Sequence, residues 1–268
     1  MATYFDTHTH LFDQTFQHDL PQVIERARRA GVEWMIIPAT DIKTSREAIR
    51  LTEQYEGLYA AVGVHPHEAS KANDIVFAEI ETLSQHPKVV AIGEIGLDYH
   101  YDFAPRERQK EIFNIQLQLA TKRNLPVIIH SREAMTDTRS IVDEAIQKSP
   151  TWNKTSDDFP KRGVFHCFPG TAGEARELRT SGFWISFPGI VTFKKSSALD
   201  VVKEIGYEKI LLETDAPYMT PVPFRGKRNE PSYVALVGKK ISEIAGVDEE
   251  TVAAVTTNNA KRLFEIAP

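Results

Sequence analysis

Two histidines separated by one residue set the chemistry of this chain: Asp6-Thr7-His8-Thr9-His10 closes a short apolar run. On a β-strand the i, i+2 spacing puts both imidazoles on one face. There, two neutral ring nitrogens can hold one divalent cation. Four later apolar runs each end on another metal-type ligand: Val89–Glu94, Val127–His130, Val164–His166 and Ile210–Asp215. One histidine at a strand end is usually a hydrogen-bonded structural residue. His8, His10, Glu94, His130, His166 and Asp215, at the carboxyl ends of five strands, make a site.

The elements that must carry these ligands repeat as strand then helix. β-Rich runs recur at Thr3–Thr7, Glu33–Ala39, Leu58–His65, Val89–Gly96, Pro126–Ser131, Gly163–Phe168, Phe183–Phe187 and Lys209–Thr214. Several are continuously apolar (Met35-Ile36-Ile37, Val127-Ile128-Ile129, Ile210-Leu211-Leu212), as parallel strands buried on both faces are. Amphipathic stretches lie between them at Leu20–Ala30, Ser45–Tyr55, Arg106–Lys122, Thr138–Lys148 and Gly173–Ser181, with closing helices at Ser232–Ala245 and Glu249–Phe264. The expectation is an α/β fold, a (β/α)8 TIM barrel made by residues 1–268 as one domain, a fold of about 250 residues. Ser149–Arg162, rich in Ser, Thr, Asp and Pro, reads as a surface loop or helix end. In a barrel the carboxyl ends of all strands open on one face, which gathers the six ligands. Parity agrees: Ile92 with Glu94, Ile128 with His130, Val164 with His166 and Leu211 with Asp215 share faces, each ligand above an inward neighbour.

Composition bounds the class. The chain has 32 basic and 37 acidic residues, a net charge of −5, which argues against coating nucleic acid by bulk charge. Its one cysteine, Cys167, excludes an internal disulfide and a thiolate zinc cluster, and suits a reducing cytoplasm. No charged-then-apolar leader opens the sequence, and no apolar run nears the roughly 20 residues that span a bilayer. A cytoplasmic protein with no membrane contact and no obligate protein partner is expected.

Four imidazoles and two carboxylates without sulfur suit Zn²⁺ or Mn²⁺. Mg²⁺, which prefers oxygen, matches less well. Six ligands exceed one four-coordinate site, so two divalent ions are expected. The natural division gives His8, His10 and Asp215 to one ion and His130 and His166 to the other, with Glu94 bridging. Such a pair activates a water and stabilises attacking and leaving oxygens. Asp215 is placed to orient or deprotonate that water, and Asp6 to support His8. The reaction class is metal-assisted hydrolysis.

The rim speaks to the substrate. Arg225-Gly226-Lys227-Arg228-Asn229 follows the eighth strand, where barrels often bind phosphate. Lys194-Lys195 and Arg132 share that rim. His65, ending the third strand, stands between substrate contact and structural roles, whereas His67 reads as structural. His18, His86 and His100 read as surface residues, and Cys167 as a small buried apolar one. Phe12, Phe16 and Tyr101 read as core or rim packing.

The chain also resembles the TatD-type metal-dependent deoxyribonucleases of the amidohydrolase superfamily. The matching stretches are Asp6–His10, Gly63-Val64-His65-Pro66, Ala91–Tyr99, Pro126–Arg132, His166-Cys167-Phe168, Leu212–Tyr218, Arg225–Pro231 and Asn258–Phe264. The resemblance spans the chain and implies a TIM barrel, a metal site of the six residues above, and exonuclease action on single-stranded DNA from 3′ ends. It further implies His65 and Arg225 as phosphate contacts. Pro169-Gly170 departs from the family, where Ser or Thr more often precedes the glycine. Superfamily members with a carbamylated lysine bridge fit poorly, since the fourth strand offers Glu94 in that place. A deaminase fits poorly too, because Arg132-Glu133 does not suit its general acid. The alternative is ester hydrolysis in D-aminoacyl-tRNA on the same site.

Overall fold

The computed structural model describes residues 2–152 and 161–267. Eight strands pair in sequence order, each parallel to the next: β1 (Tyr4–Asp6), β2 (Val32–Pro38), β3 (Leu58–Val62), β4 (Val89–Asp98), β5 (Val127–Arg132), β6 (Gly163–Phe165), β7 (Phe183–Phe187) and β8 (Leu211–Leu212). The ring is closed between β8 and β1 by a Thr7 N–H donating to Leu212 O at 3.0 Å and a parallel bridge from Thr9 to Ala216. This is the (β/α)8 barrel that the strand–helix alternation predicts.

The helices are α1 (Leu20–Arg29), α2 (Ile42–Gln54), α3 (Asp74–Leu83), α4 (Arg106–Arg123), α5 (Met135–Lys148), α6 (Ala172–Thr180), α7 (Ser197–Ile205), α8 (Val234–Ala245) and α9 (Glu249–Phe264). Two of them, α3 and α7, have no counterpart among the helices read from the sequence. Of Ser149–Arg162, residues 153–160 lie outside the described residues. Among the described residues, no helix is long and apolar enough to cross a membrane.

The strands bury both faces. Phe5, Ile36, Ala61, Ala91, Ile128, Val164, Trp184 and Leu211, one from each strand, pack together with Leu263, Phe264 and Ile266 at the end of α9. Their neighbours, among them Met35, Val62, Ile129, Phe165 and Ile185, pack in the second cluster with the helices. Each fully buried side chain of this size contributes about 1.5–3 kcal/mol. The inward positions on β5, β6 and β8 match the parity expectation. On β4 they do not: Ala91 faces the inner cluster and Ile92 the outer one. The β4–β5 register shifts between Ile92 and Ile95, and such an irregularity re-aims the residues beyond it. Glu94 reaches the site through that shift.

Buried amides on α4 fix two strand ends. Gln116 accepts from Val64 N at 2.7 Å and donates to Val64 O at 2.9 Å. Seven residues earlier on the same face, Gln109 accepts from Asp98 N at 2.8 Å and donates to Asp98 O at 2.9 Å. Each amide satisfies both backbone groups of a residue at or just past a strand end.

Arg228 leaves the expected basic patch for a structural role. Its guanidinium grips the Asp19 carboxylate at 2.8 and 2.6 Å, and Arg26 reaches the same carboxylate at 3.3 Å and Glu230 at 2.7 Å. The network ties the segment after β8 to the start of α1. The Arg228 hydrogen bonds, aided by Arg26, hold Asp19 down at about 2, below its ordinary 3.8. A depressed carboxylate stabilises the fold above its unfolded pKa and loses that contribution as pH falls through its folded one. Native protein should therefore melt above Asp19→Asn at neutral pH, with the gap closing as pH falls from about 4 to about 2. Thermal melts across that range check this; a gap that stays constant with pH contradicts it.

Candidate metal centre

His8 and His10 stand just past β1, where the chain pairs with the segment after β8. His10 N–H donates to Ala216 O at 2.8 Å, and Asp215 N–H donates to His8 O at 2.9 Å. Asp6 grips the same seam, accepting from Thr214 N at 2.8 Å, Thr214 Oγ1 at 2.6 Å and the His8 backbone N–H at 3.3 Å. Its support for His8 thus goes to the backbone and not to the ring. Asp215 and Cys167 both adopt left-handed backbone, with φ of 55° and 44°. That costs a non-glycine residue about 1–3 kcal/mol and clusters at functional sites. Here it turns the chain sharply just after His166 and at Asp215 itself.

The six ligands predicted from the sequence meet at one place. Glu94 Oε1 lies 3.0 Å from His130 Nδ1 and 2.9 Å from His166 Nε2. Its Oε2 lies 3.4 Å from His8 Nε2 and 3.7 Å from His10 Nε2. Asp215 Oδ1 sits 3.5 Å from His10 Nε2 and 3.7 Å from His8 Nε2. The two sets adjoin, for the His8 and His166 rings stack at 4.0 Å. Burial opposes charge on Glu94, yet His166, His65 and His8 together with the His130 hydrogen bond hold its carboxyl well below the usual range. Burial likewise opposes charge on Asp215, and its bond to His10 with the neighbouring rings outweighs that and lowers it.

Tautomers follow from the outer partners. His10 Nδ1–H donates to Pro38 O at 3.1 Å, so the neutral ring keeps its Nε2 lone pair inward. His130 Nε2–H donates to Asp98 at 3.0 Å, so the neutral ring keeps its Nδ1 lone pair inward. Inward nitrogens then crowd one another: His8 Nε2 and His10 Nε2 are 3.2 Å apart, as are His130 Nδ1 and His166 Nε2. Lone pairs converging with two carboxylates fit a cation at their focus. The triplets able to surround one ion are His8–Glu94–His166, His8–His10–Asp215 and His65–Glu94–His130. His65 differs from the others. Its Nδ1 accepts from the His67 N–H at 3.2 Å, so Nε2 carries the proton, aimed at Glu94 Oε1 3.5 Å away. Burial pushes His65 down to about 4. It is a neutral donor facing the site.

Two supporting residues, Asp98 and Glu213, escaped the sequence reading. Asp98, buried at the end of β4, takes His130 and His67 Nε2 at 3.0 Å each. Its same-face spacing to Glu94, four residues along one strand, is the signal that could have found it. Glu213 accepts from Cys167 N at 2.6 Å and Ser186 Oγ at 2.5 Å, 3.7 Å from His166 Nδ1. His67, read as structural, bonds Asp98 at the site edge. Gly96 lets β4 pass close to β5: a Cβ there, at φ +140°, would lie 1.9 Å from His130 O.

The rim residues divide. Arg225 is exposed, its guanidinium 4.2 Å from the Phe193 ring, in a groove shared with Lys194 and Lys195. Arg132 lies over Tyr101 at 5.0 Å. Phe16 is buried as expected, while Tyr101 is 41% exposed. His86 and His100 pair with Glu53 and Glu133 on the surface.

A family model described as "TatD related DNase" matches residues 5–265. The chain belongs to the TatD-related DNase family. This TatD-family chain is 45% identical over 263 residues to the "Uncharacterized metal-dependent hydrolase YabD" of Bacillus subtilis, covering 98% of this chain and 99% of that one. It is 35% identical over 266 residues to the "3'-5' ssDNA/RNA exonuclease TatD" of Cronobacter sakazakii, covering 97% of each. The solved structure of the TatD homologue YjjV from Escherichia coli superposes with a TM-score of 0.88 at 32% identity, covering 98% of both chains. This TatD-family protein is a metal-dependent hydrolase.

Asp98→Ala removes the acceptor that orients His130. Lost carboxylate–imidazole support typically costs about 10–100-fold in metal affinity. Chelator competition on the folded variant should show a loss in that range; unchanged affinity would remove Asp98 from the metal centre.

Proposed function

We propose that the protein hydrolyses phosphodiester bonds of DNA as a 3′–5′ exonuclease on single strands, using two divalent ions. The observation that carries this reading is the division of Glu94, one oxygen toward His130 and His166 and the other toward His8 and His10. On this reading His8, His10 and Asp215 hold one ion, His130 and His166 the second, and Glu94 both. Zn²⁺ or Mn²⁺ suits the donors better than Mg²⁺. A divalent pair bound there would acidify a water and offset phosphoryl charge.

This chain's own residues supply the rest. Asp215, kept ionised by the imidazoles around it, orients the attacking water and accepts its proton. His65, neutral and with its proton on Nε2, donates to a phosphoryl oxygen as negative charge develops there. Arg225 with Lys194 and Lys195 supplies fixed positive charge on an acidic chain, suited to neighbouring phosphates. The substrate class draws on the relative named as an ssDNA/RNA exonuclease.

The test is cleavage of a 5′-labelled single-stranded oligonucleotide by chelator-stripped protein, with Zn²⁺, Mn²⁺ or Mg²⁺ restored. A ladder shortening from the 3′ end is expected only with metal, with Asp215→Asn slower by roughly 10²–10⁴ in kcat. Arg225→Ala should raise KM about tenfold and leave kcat near native. Absence of cleavage under every ion overturns the reading and moves the site to another ester, D-aminoacyl-tRNA first.

A further inference from the structure

The large apolar side chains exposed among the described residues are Ile75, Tyr101, Phe103, Tyr218, Met219 and Val222. Each lies in a segment that follows β3, β4 or β8, on the side of the barrel that carries the metal centre. Single exposed aromatics are ordinary on protein surfaces. The pair after β4 is not single. Tyr101 and Phe103, 41% and 62% exposed, have ring centroids 5.3 Å apart at 32°. His67 meets both edge-on, at 5.5 Å and 4.7 Å. Arg132 caps the Tyr101 side, which leaves Phe103 the open face.

This cluster is joined to the metal centre through one side chain. His67 and His130 share the Asp98 Oδ2 acceptor at 3.0 Å each, and their rings are 6.4 Å apart. Phe103 is therefore one histidine removed from a predicted metal ligand. That is within reach of a base next to a phosphate at Glu94. The neighbouring guanidinium supplies the positive charge that a phosphodiester backbone seeks.

We propose that Tyr101 and Phe103 form a stacking ledge that receives an unpaired base of the substrate strand while its phosphate lies at the metal centre. The inference rests on the nuclease reading above and names what selects the strand. Every base has a π-face, so an aromatic ledge holds any sequence. A base inside a duplex is already stacked and must first be extruded, at a cost that an unpaired end avoids. The ledge thus selects single strands without reading sequence, and Arg132 adds a cation beside the bound strand.

The experiment compares native protein with the Tyr101→Ala/Phe103→Ala double variant on two single-stranded oligonucleotides. One is intact; the other carries abasic residues at its 3′ end. Cleavage is followed in the native background, and Kd by fluorescence anisotropy in an Asp215→Asn background. The double variant should bind the intact strand about tenfold more weakly, with a matching rise in KM and little change in kcat. On the abasic strand it should match the protein that keeps its ledge within about twofold, and Phe103→Trp should retain binding of the intact strand. Equal losses on both strands, or none on either, overturn the ledge. Ledge-dependent binding without cleavage under any metal keeps the ledge and removes the nuclease reading. Cleavage indifferent to the ledge does the reverse, and an oligonucleotide neither bound nor cleaved removes both.

Discussion

A carboxylate buried among imidazoles must be answered by positive charge or by hydrogen bonds, since an isolated buried anion is far too costly. Glu94 is 3% exposed and is answered from two sides at once. His130 and His166 meet one oxygen, His8 and His10 the other. When the rings are neutral, Pro38 O and Asp98 take the outer protons of His10 and His130, and their inner nitrogens carry lone pairs. What remains is a focus of lone pairs around an anion, an arrangement that a divalent cation satisfies.

The barrel enforces that focus by lacing strand ends together. Asp6, His8, Thr214 and Asp215 exchange hydrogen bonds across the closing seam, so His8 and Asp215, from opposite ends of the chain, share one backbone frame. Gln109 and Gln116 do the same for Asp98 and the Gly63–His65 segment from the far side. Asn229 donates to Thr214 O at 2.8 Å, which fixes the segment after β8 against that seam. The left-handed turns at Cys167 and Asp215 are held by these neighbours. Rigidity of this kind lets side chains meet within tenths of an ångström, as pre-organised sites require.

The residues that converge on Glu94 were legible because each ends an apolar run, and barrel topology converts a position along the chain into a place on one rim. Periodicity also gave β7 its full extent and α9 both of its ends. It failed where pairing geometry decides. Ile92 shares parity with Glu94 in sequence, yet the β4 register shift breaks the face. β3 stops at Val62 and β6 at Phe165, short of the apolar runs, because the chain turns to present His65 and His166. The missed helices α3 and α7 do carry boundary signals, since Asn73 and Ser196 cap their first turns. Gln109 lies in no motif, and Asp98 and Glu213, inside matching stretches, are defined by hydrogen bonds to partners distant in the chain. Arg228 read as part of a basic rim suited to phosphate until the fold brought Asp19 to it.

Metal stoichiometry tests the central claim most directly. Native protein and Glu94→Ala, each stripped with chelator, would be dialysed to equilibrium against Zn²⁺ or Mn²⁺ and the bound ion counted by mass spectrometry. The account predicts two ions on each native chain. It also predicts that both bind more weakly once Glu94 is removed, because its two oxygens serve both sets. One ion on the native chain, or a second ion indifferent to Glu94, would contradict a carboxylate shared between two metals.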